Sequence, residues 1–241
     1  MNHIDKIGYK QYGEYTQEIP NDGYMVEMSP NYFYSTCYVD EYCREINIMI
    51  KIINNDEGYF DFSKNLLDIG SHIGTYDLVL DFNHYYMFEG NNEYCVISQF
   101  NMLLHNKLNK CNCYNVLLSD IIEDINYDGF ETDYYKTINN KDIYNIENTE
   151  VCKTKILDHY NLNNIGLIKI DVEGMEYKVL KGGLGTIIRN NYPPILFELW
   201  DVGYLGMTQE LHDQLQKFLE DLGYTIFWKW GDGETHLAIH K

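Results

Sequence analysis

The chain has 241 residues, 45% of them hydrophobic, a length that suits one α/β domain with a buried sheet. Its formal net charge of −19 opposes binding to the phosphates of a nucleic acid. No stretch approaches the roughly 18 apolar residues of a membrane span, and residues 1–10 lack the apolar core of a secretion signal. The six scattered cysteines complete no zinc-site spacing and are expected to be reduced. We therefore expect a cytoplasmic protein that binds neither nucleic acid nor membrane.

Residues 1–63 mix aromatic residues, glycines and acids. Within them, apolar side chains recur at helical spacing over 39–53, which predicts one helix. We interpret 1–63 as an N-terminal cap on a single domain whose core covers 64–241.

From residue 65 onward, strand and helix signals alternate, which favours a parallel sheet with helices on both faces. The first predicted elements are a strand over 66–69, a helix over 74–81, a strand over 85–89, a helix over 92–108 and a strand over 114–118.

A polar segment over 121–149, rich in Asn, Tyr, Ile and Asp, interrupts this alternation and is interpreted as an inserted hairpin or lid. The chain closes around a Gly-Asp-Gly turn that favours two antiparallel strands. The predicted elements after the insertion are a strand over 166–170, a helix over 176–184, a strand over 195–199, a helix over 208–222 and closing strands over 224–230 and 236–240.

The loop between the first strand and its helix runs from Asp68 to Gly74 and contains Gly70, Ser71 and His72. Gly70 allows a tight turn against a ligand, and Gly74 lets the helix start close to the sheet. Sites for nicotinamide dinucleotides use a G-x-G-x-x-G pattern, which leaves room for pyrophosphate and is absent here. The loop predicts a nucleoside ligand without pyrophosphate, such as S-adenosyl-L-methionine, with Asp68 facing its positive charges and the helix N-terminus facing its carboxylate.

Residues after the next two strands fit the rest of such a ligand. Glu89 ends the second strand 19 residues after Gly70 (89 − 70 = 19), close to the ~20 expected of an acid that binds ribose hydroxyls. Ser119 and Asp120 follow the third strand, where adenine is expected, and can equally cap a helix or turn. His72 is interpreted either as a base near the methyl group or, preferably, as a backbone partner within the loop.

A second acidic motif, Ile-Asp-Val-Glu-Gly-Met-Glu, begins in the strand over 166–170. Asp171 stands at the carboxyl end of a central strand, where ligands bind in open α/β sheets. It can act as a general base toward a substrate hydroxyl, orient that hydroxyl, or hold a divalent cation with Glu173 or Glu198. Glu176 is interpreted as a cap of the following helix.

Six motifs in this order resemble the FkbM-type S-adenosylmethionine-dependent methyltransferases: LLDIGSHIGTY, MFEGNNEY, VLLSD, KTKILDHY, LIKIDVEGMEYKVLKGG and PPILFELW. The resemblance covers about residues 65–200. It implies the class I methyltransferase fold, a Rossmann-like three-layer α/β sandwich whose seven-stranded, mostly parallel sheet has one antiparallel strand. It also implies O-methylation of sugars or other hydroxyl-bearing compounds.

By the same resemblance, Asp171 and Glu173 stand at the reaction centre. The residues expected to bind the cofactor are Asp68, Gly70, Ser71, His72, Gly74, Glu89, Ser119 and Asp120. Three departures from the family pattern are visible: Ser71-His72 in place of Ala-Asn, Gly90 in place of Pro, and Trp200 in place of a frequent His. The last removes a polar group near the acceptor site, so the acceptor of the family is not carried over.

Three alternatives remain open. An RNA ribose 2′-O-methyltransferase would pair a lysine with Asp171, and Lys169, Lys178 and Lys181 lie nearby, but the acidity of the chain opposes RNA. A non-catalytic cofactor-binding protein would be expected to lack Asp68, Glu89 or Asp171. A nicotinamide oxidoreductase is disfavoured by the glycine spacing.

The acceptor is expected to be a small molecule or a glycan. Its pocket is assigned to Tyr-rich and Asn-rich segments over 1–63, 121–149 and 200–207, because aromatic faces and amides suit a neutral polyol. The sequence indicates neither the oligomeric state nor a requirement for metal.

Overall fold

The computed structural model describes residues 47–127, 150–203, 207–230 and 233–240. The strands in these ranges are β1 (Asn65–Ile69), β2 (His84–Glu89), β3 (Cys111–Asn115), β4 (Asp124–Tyr127), β5 (Glu150–Lys153), β6 (Ile165–Ile170), β7 (Ile195–Glu198), β8 (Tyr224–Phe227) and β9 (Thr235–His240). Seven of them form one sheet in the order β3-β2-β1-β6-β7-β9-β8. β9 pairs antiparallel with both β7 and β8, so it runs in the opposite direction to the other six strands of this sheet. The predicted seven-stranded, mostly parallel sheet with one antiparallel strand is confirmed.

Helices cover both faces of this sheet. They are α1 (47–54), α2 (Thr75–Val79), α3 (Asn92–Leu104), α4 (Glu176–Gly182), α5 (Leu184–Arg189) and α6 (Gln209–Asp221). Short 3₁₀ turns occur at Leu108–Lys110 and Leu157–Tyr160. No helix within the described ranges combines the length and the apolar character needed to cross a membrane.

The alternation of side chains along each strand divides the core into two layers. Leu66, Leu167 and Leu196 point to one face, where they pack with apolar residues of α1, α2 and α3. Leu67 and Ile168 point to the other face, toward α4, α5 and α6. Each fully buried side chain of this kind contributes about 1.5–3 kcal/mol relative to exposure, which fixes the register of the central strands.

Within the described residues, the predicted elements agree with the structure to within a few residues, with two exceptions. The third strand, predicted at 114–118, lies at Cys111–Asn115, where Cys113 is aligned with Met87 of β2. The helix predicted over 176–184 is divided at Gly183 into α4 and α5.

The structure describes only the flanks of the predicted insertion over 121–149. β4 and β5 pair antiparallel there, with Asp124 aligned with Lys153. Residues 128–149, and residues 1–46 of the predicted cap, lie outside the described residues, and the assignments of both segments stay predictions.

Candidate active site

The loop after β1 packs directly against the end of β6. Gly70 adopts a left-handed φ of 75°, and its N–H donates to the Phe88 carbonyl of β2 at 2.8 Å. A Cβ atom at this position would lie 1.7 Å from the carbonyl oxygen of Asp171, so a side chain would clash. The two motifs singled out in the sequence therefore meet at the carboxyl edge of the sheet, beside the reversal of strand order between β1 and β6.

Glu89 ties the end of β2 to this loop. Its carboxylate accepts the backbone N–H of His72 at 2.8 Å and that of Asn91 at 2.7 Å. Burial raises the pKa of Glu89, and the two N–H groups oppose that rise. Each carboxylate oxygen has two lone pairs, so both oxygens can still accept a ribose hydroxyl.

His72 takes part in the loop through its backbone. It has a left-handed φ of 49°, and its ring packs edge-on against Tyr94 with 4.1 Å between centroids. Burial lowers the pKa of its imidazole to about 4, so the ring is neutral at pH 7. The geometry corresponds to the backbone-partner interpretation.

Lys169 of β6 is a buried cation at the centre of the site, with 8% of its side chain exposed. Its ammonium donates to the Gly70 carbonyl at 2.8 Å and lies 3.3 Å from Asp68 Oδ1 and 3.6 Å from Asp171 Oδ2. The ring centroid of Tyr76 is 5.3 Å away. From the sequence, Lys169 had a role only in the RNA methyltransferase alternative. A lysine between two isoleucines of an apolar strand was a usable signal, because a buried ammonium requires partners.

Asp68 lies beneath the loop and is 1% exposed. Neither of its oxygens has a hydrogen-bond partner among the described residues, and the same holds for the carboxyl of Asp77 in α2 and the hydroxyl of Ser71. Burial raises the pKa of both carboxyls; Lys169 opposes the rise for Asp68, whereas the Asp68 charge adds to it for Asp77. Two buried carboxyls beside each other favour a proton between them or a cation next to them, and the Lys169 ammonium is such a cation. Asp77 was not among the residues expected at the site.

Three carboxylates meet where β6 and β7 end. Asp171, Glu173 and Glu198 each offer an oxygen atom, and these three atoms lie within 4.8 Å of one another. Burial, followed by the Asp171 charge, raises the pKa of Glu198 well above its ordinary range. Like charges this close are unfavourable unless they share a proton or a cation. The group can therefore keep a proton or hold a divalent cation through oxygen ligands.

Glu176 shapes the turn that carries two of these acids. It is 3% exposed, and its Oε1 accepts the backbone N–H groups of Val172 at 2.9 Å and Gly174 at 3.3 Å. Burial raises its pKa from 4.5 to about 7. Within this turn Glu173 adopts a left-handed φ of 55°, a conformation of higher energy that the two hydrogen bonds help to hold.

On the side of the site expected to hold adenine, Ser119 and Asp120 contact other residues of the chain. Asp120 is ion-paired with Lys181 of α4 at 2.6 Å, and the buried Ser119 hydroxyl donates to Asp120 at 3.4 Å. Burial works to raise the pKa of Asp120, but the Lys181 hydrogen bond and charge bring it below its ordinary value. The adenine contacts assigned to these two residues stay a prediction.

Because β3 lies earlier than predicted, Asn115 ends that strand beside Glu89. The Asn115 amide donates to the carbonyls of Glu89 at 3.0 Å and Gly90 at 2.9 Å. Leu117 packs onto Gly90, where a Cβ atom would come within 2.3 Å of the leucine Cδ2. This packing gives a structural reason for glycine at position 90, where the FkbM pattern has Pro.

Residues 68–226, more than half of the chain, match a family model described as Methyltransferase FkbM domain. A search of curated protein sequences gave no match. Among solved structures, the fold is similar to Methyltransferase FkbM from Methylobacillus flagellatus KT, with a TM-score of 0.56 and 16% sequence identity. That alignment covers 84% of this chain and 52% of the other, so this chain spans about half the length of that protein.

Two further solved structures align with lower TM-scores. A putative caffeoyl-CoA O-methyltransferase from Staphylococcus aureus aligns over 86% of this chain and 93% of its own, with a TM-score of 0.48 and 14% identity. An O-methyltransferase from Bacillus cereus in complex with SAH aligns over 92% of this chain and 84% of its own, with a TM-score of 0.46 and 10% identity.

Proposed function

This chain belongs to the FkbM family of S-adenosylmethionine-dependent methyltransferases, and from that premise we propose that it methylates a hydroxyl group of a sugar or glycan-like small molecule. The observation that carries the proposal is the position of Asp171. Its carboxylate is 33% exposed, lies at the carboxyl end of β6 beside the Gly70 loop, and is 3.6 Å from the Lys169 ammonium.

Asp171 is placed to manage the proton of the acceptor. When bound, S-adenosylmethionine supplies a methyl group on a sulfonium whose departing thioether needs no proton. The acceptor hydroxyl loses its proton as its new oxygen–carbon bond forms, and Asp171 takes that proton or orients the hydroxyl. Lys169 limits the movement of Asp171, because the same ammonium also contacts Asp68 and the Gly70 carbonyl.

The cofactor side uses the loop from Asp68 to Gly74 together with Glu89. The remaining lone pairs of the Glu89 carboxylate are assigned to the ribose hydroxyls. Asp68, which pairs with Lys169, is the carboxyl beneath the loop that we assign to the cationic end of the cofactor, whereas burial and the Asp68 charge raise the pKa of Asp77 and favour its neutral form.

A second form of the proposal has a divalent cation held by Asp171, Glu173 and Glu198, in which case Asp171 orients the acceptor hydroxyl through the cation and does not itself take the proton. Mg²⁺ prefers oxygen ligands, and three carboxylates within 4.8 Å provide them. Activity that falls with a chelator and returns with Mg²⁺ would support the cation. If activity were unchanged when a chelator is added, the three carboxylates would instead be interpreted as sharing a proton.

The acidity of the site and of the whole chain favours a neutral acceptor over an anionic one. The RNA alternative has one observation in its favour, the proximity of Lys169 to Asp171. Against it, Lys169 is buried and held by three partners, and the net charge of −19 repels phosphates. RNA binding that weakens steeply with added salt would favour the alternative.

Calorimetry of the purified chain tests the cofactor assignment. We expect S-adenosylmethionine to bind in the micromolar range and NAD not to bind. Glu89→Ala should abolish binding, whereas Asp171→Asn should keep most of it and lower methylation of a sugar acceptor by roughly 100-fold or more. Asp221→Asn is the matched control, because Asp221 is 63% exposed at the end of α6 and pairs with the exposed Lys217. A well-folded wild-type chain that does not bind S-adenosylmethionine would refute the proposal.

A further inference from the structure

Helix α3 exposes a row of apolar side chains on the side turned away from the sheet. Val96, Phe100, Leu103 and Leu104 are 57%, 50%, 51% and 40% exposed, and Leu108, just beyond the helix, is 40% exposed. Their spacing places the helical members on one face. These five residues, the α3 stripe, make up five of the eleven large hydrophobic side chains that are exposed within the described ranges. Exposed apolar residues usually occur singly, so a contiguous stripe indicates a contact surface.

The charges around the α3 stripe differ from those of the chain as a whole. From residue 92 to residue 110 there is one acid, Glu93, and there are two lysines, Lys107 and Lys110, while the whole chain has 37 acids and 18 basic residues. Lys107 turns its ammonium onto three backbone carbonyls at the end of α2. The exposed charges are therefore Glu93 at one end of the stripe and Lys110 beyond the other.

We propose that the α3 stripe is the contact surface of a symmetric dimer of this chain, in which two α3 helices pack antiparallel. A two-fold axis requires a surface that complements itself. Antiparallel packing meets this requirement, because it brings Glu93 of each copy toward Lys110 of the other. The midpoint between them lies at (93 + 110)/2 = 101.5, which sets Phe100 opposite Leu103 of the second copy.

The size of the α3 stripe indicates a weak dimer. Five partly exposed side chains offer on the order of 400 Å² per copy, about half of the ~800 Å² that each partner buries in a standard interface. Two copies that each carry a charge of −19 also repel one another. Salt screens this repulsion and strengthens apolar contacts, so the dimer should tighten as salt is added.

Sedimentation equilibrium on the full chain tests this dimer. With loading from about 1 to 200 µM, the mass should rise from 28.5 kDa toward twice that value, and further at ~500 mM than at ~50 mM NaCl. Phe100→Glu with Leu103→Glu should weaken the dimer by at least ~10-fold. Ile188→Glu is the matched control, because Ile188 is 49% exposed on α5, across the sheet from α3. Glu93→Lys should weaken the dimer, and adding Lys110→Glu should restore it.

Either of two results would overturn the proposal. One is a monomer at every concentration and salt level. The other is a dimer that the double glutamate variant leaves unchanged. In the first case, a thermal midpoint that falls sharply in the double glutamate variant would show that residues of the same chain cover the stripe.

Discussion

At the scale of single residues, the site is built from buried charges that depend on one another. The Lys169 ammonium is the only lysine nitrogen within 4 Å of Asp68 among the described residues, and it also contacts Asp171. If either Asp68 or Lys169 were replaced by an apolar residue, the other would be a buried charge without water or a counterion. Single substitutions here should therefore have large effects, whereas exposed ion pairs elsewhere should matter little.

Replacing Lys169 with Met should lower the free energy of unfolding by about 3 kcal/mol or more, because Asp68 is left buried without its counterion. Urea unfolding measures this change. Lys229→Met removes an exposed ion pair with Asp201 and should stay within about 0.5 kcal/mol of wild type. The double variant Asp68→Asn with Lys169→Met should recover part of the loss. Equal destabilisation by Lys169→Met and Lys229→Met would contradict this account.

Replacing Glu176 with Gln should change how stability depends on pH. Burial raises the Glu176 pKa from 4.5 to about 7, so the folded state binds this proton more tightly than the unfolded state does. The resulting stability is fully present below pH 4.5 and is lost as the pH rises through about 7, on the order of 3 kcal/mol in total. Between pH 5 and 8, wild type should therefore lose more stability than Glu176→Gln, as urea unfolding at each pH will show. If the unfolding free energies of wild type and Glu176→Gln changed with pH in parallel, the raised pKa of Glu176 would be disproved.

At the scale of elements, the site depends on the close approach of the β1–α2 loop to the end of β6. Gly70 donates to β2, and its carbonyl accepts from Lys169 of β6, so one residue joins three neighbouring strands. The Asp171 N–H in turn donates to the Ile69 carbonyl at 3.0 Å. The loop and the acidic motif are therefore one structural unit.

Gly70→Ala should disrupt this unit, because the new Cβ atom would meet the Asp171 carbonyl at 1.7 Å in addition to the strain of φ 75°. We expect a loss of stability well above 1 kcal/mol and no measurable binding of S-adenosylmethionine. Gly58→Ala separates the two effects, since Gly58 has φ 70° but nothing within 4 Å of the added atom. Gly58→Ala should lower the free energy of unfolding by only about 1 kcal/mol and leave the binding of S-adenosylmethionine unchanged. Normal binding by Gly70→Ala in calorimetry would show that the loop can move without consequence.

At the scale of the whole molecule, the dominant property is the net charge of −19. A compact state concentrates this charge and is destabilised by its own repulsion, while several carboxyls of the site hold raised pKa values through burial. The same charge disfavours anionic partners at long range, and the α3 region, with one acid and two lysines over 92–110, is less acidic than the chain as a whole.

The thermal midpoint of the chain should rise as NaCl increases from about 50 to 500 mM, since screening relieves the self-repulsion. Calorimetry in NaCl and in KCl distinguishes screening from binding of a specific ion, because both salts should act alike. The Phe100→Glu, Leu103→Glu variant, in which the dimer is weakened, should also show a rise, which would mean that screening alone raises the midpoint. A midpoint that falls with salt would mean that attractive ion pairs outweigh the repulsion.

The sequence predicted the alternation of strands and helices well, because hydrophobic periodicity is a local property. It misplaced β3, and the reason is physical. The run Val116, Leu117 and Leu118 has the apolar character of a buried strand, but it follows the sheet. The true strand, Cys111–Asn115, is more polar because it lies at the edge of the sheet, where side chains are only partly buried.

By itself, the sequence determined the sheet class, the glycine loop and the acidic motif at the ends of central strands, since each depends on residue types at short spacing. Only the tertiary structure decided which charges meet. Lys169 contacts the carbonyl of a residue 99 positions away, and Glu198 joins Asp171 and Glu173, because the strand order places β6 between β1 and β7. Burial then sets protonation, as in the raised pKa of Glu176, because desolvation depends on the atoms that surround a group and not on its neighbours in sequence.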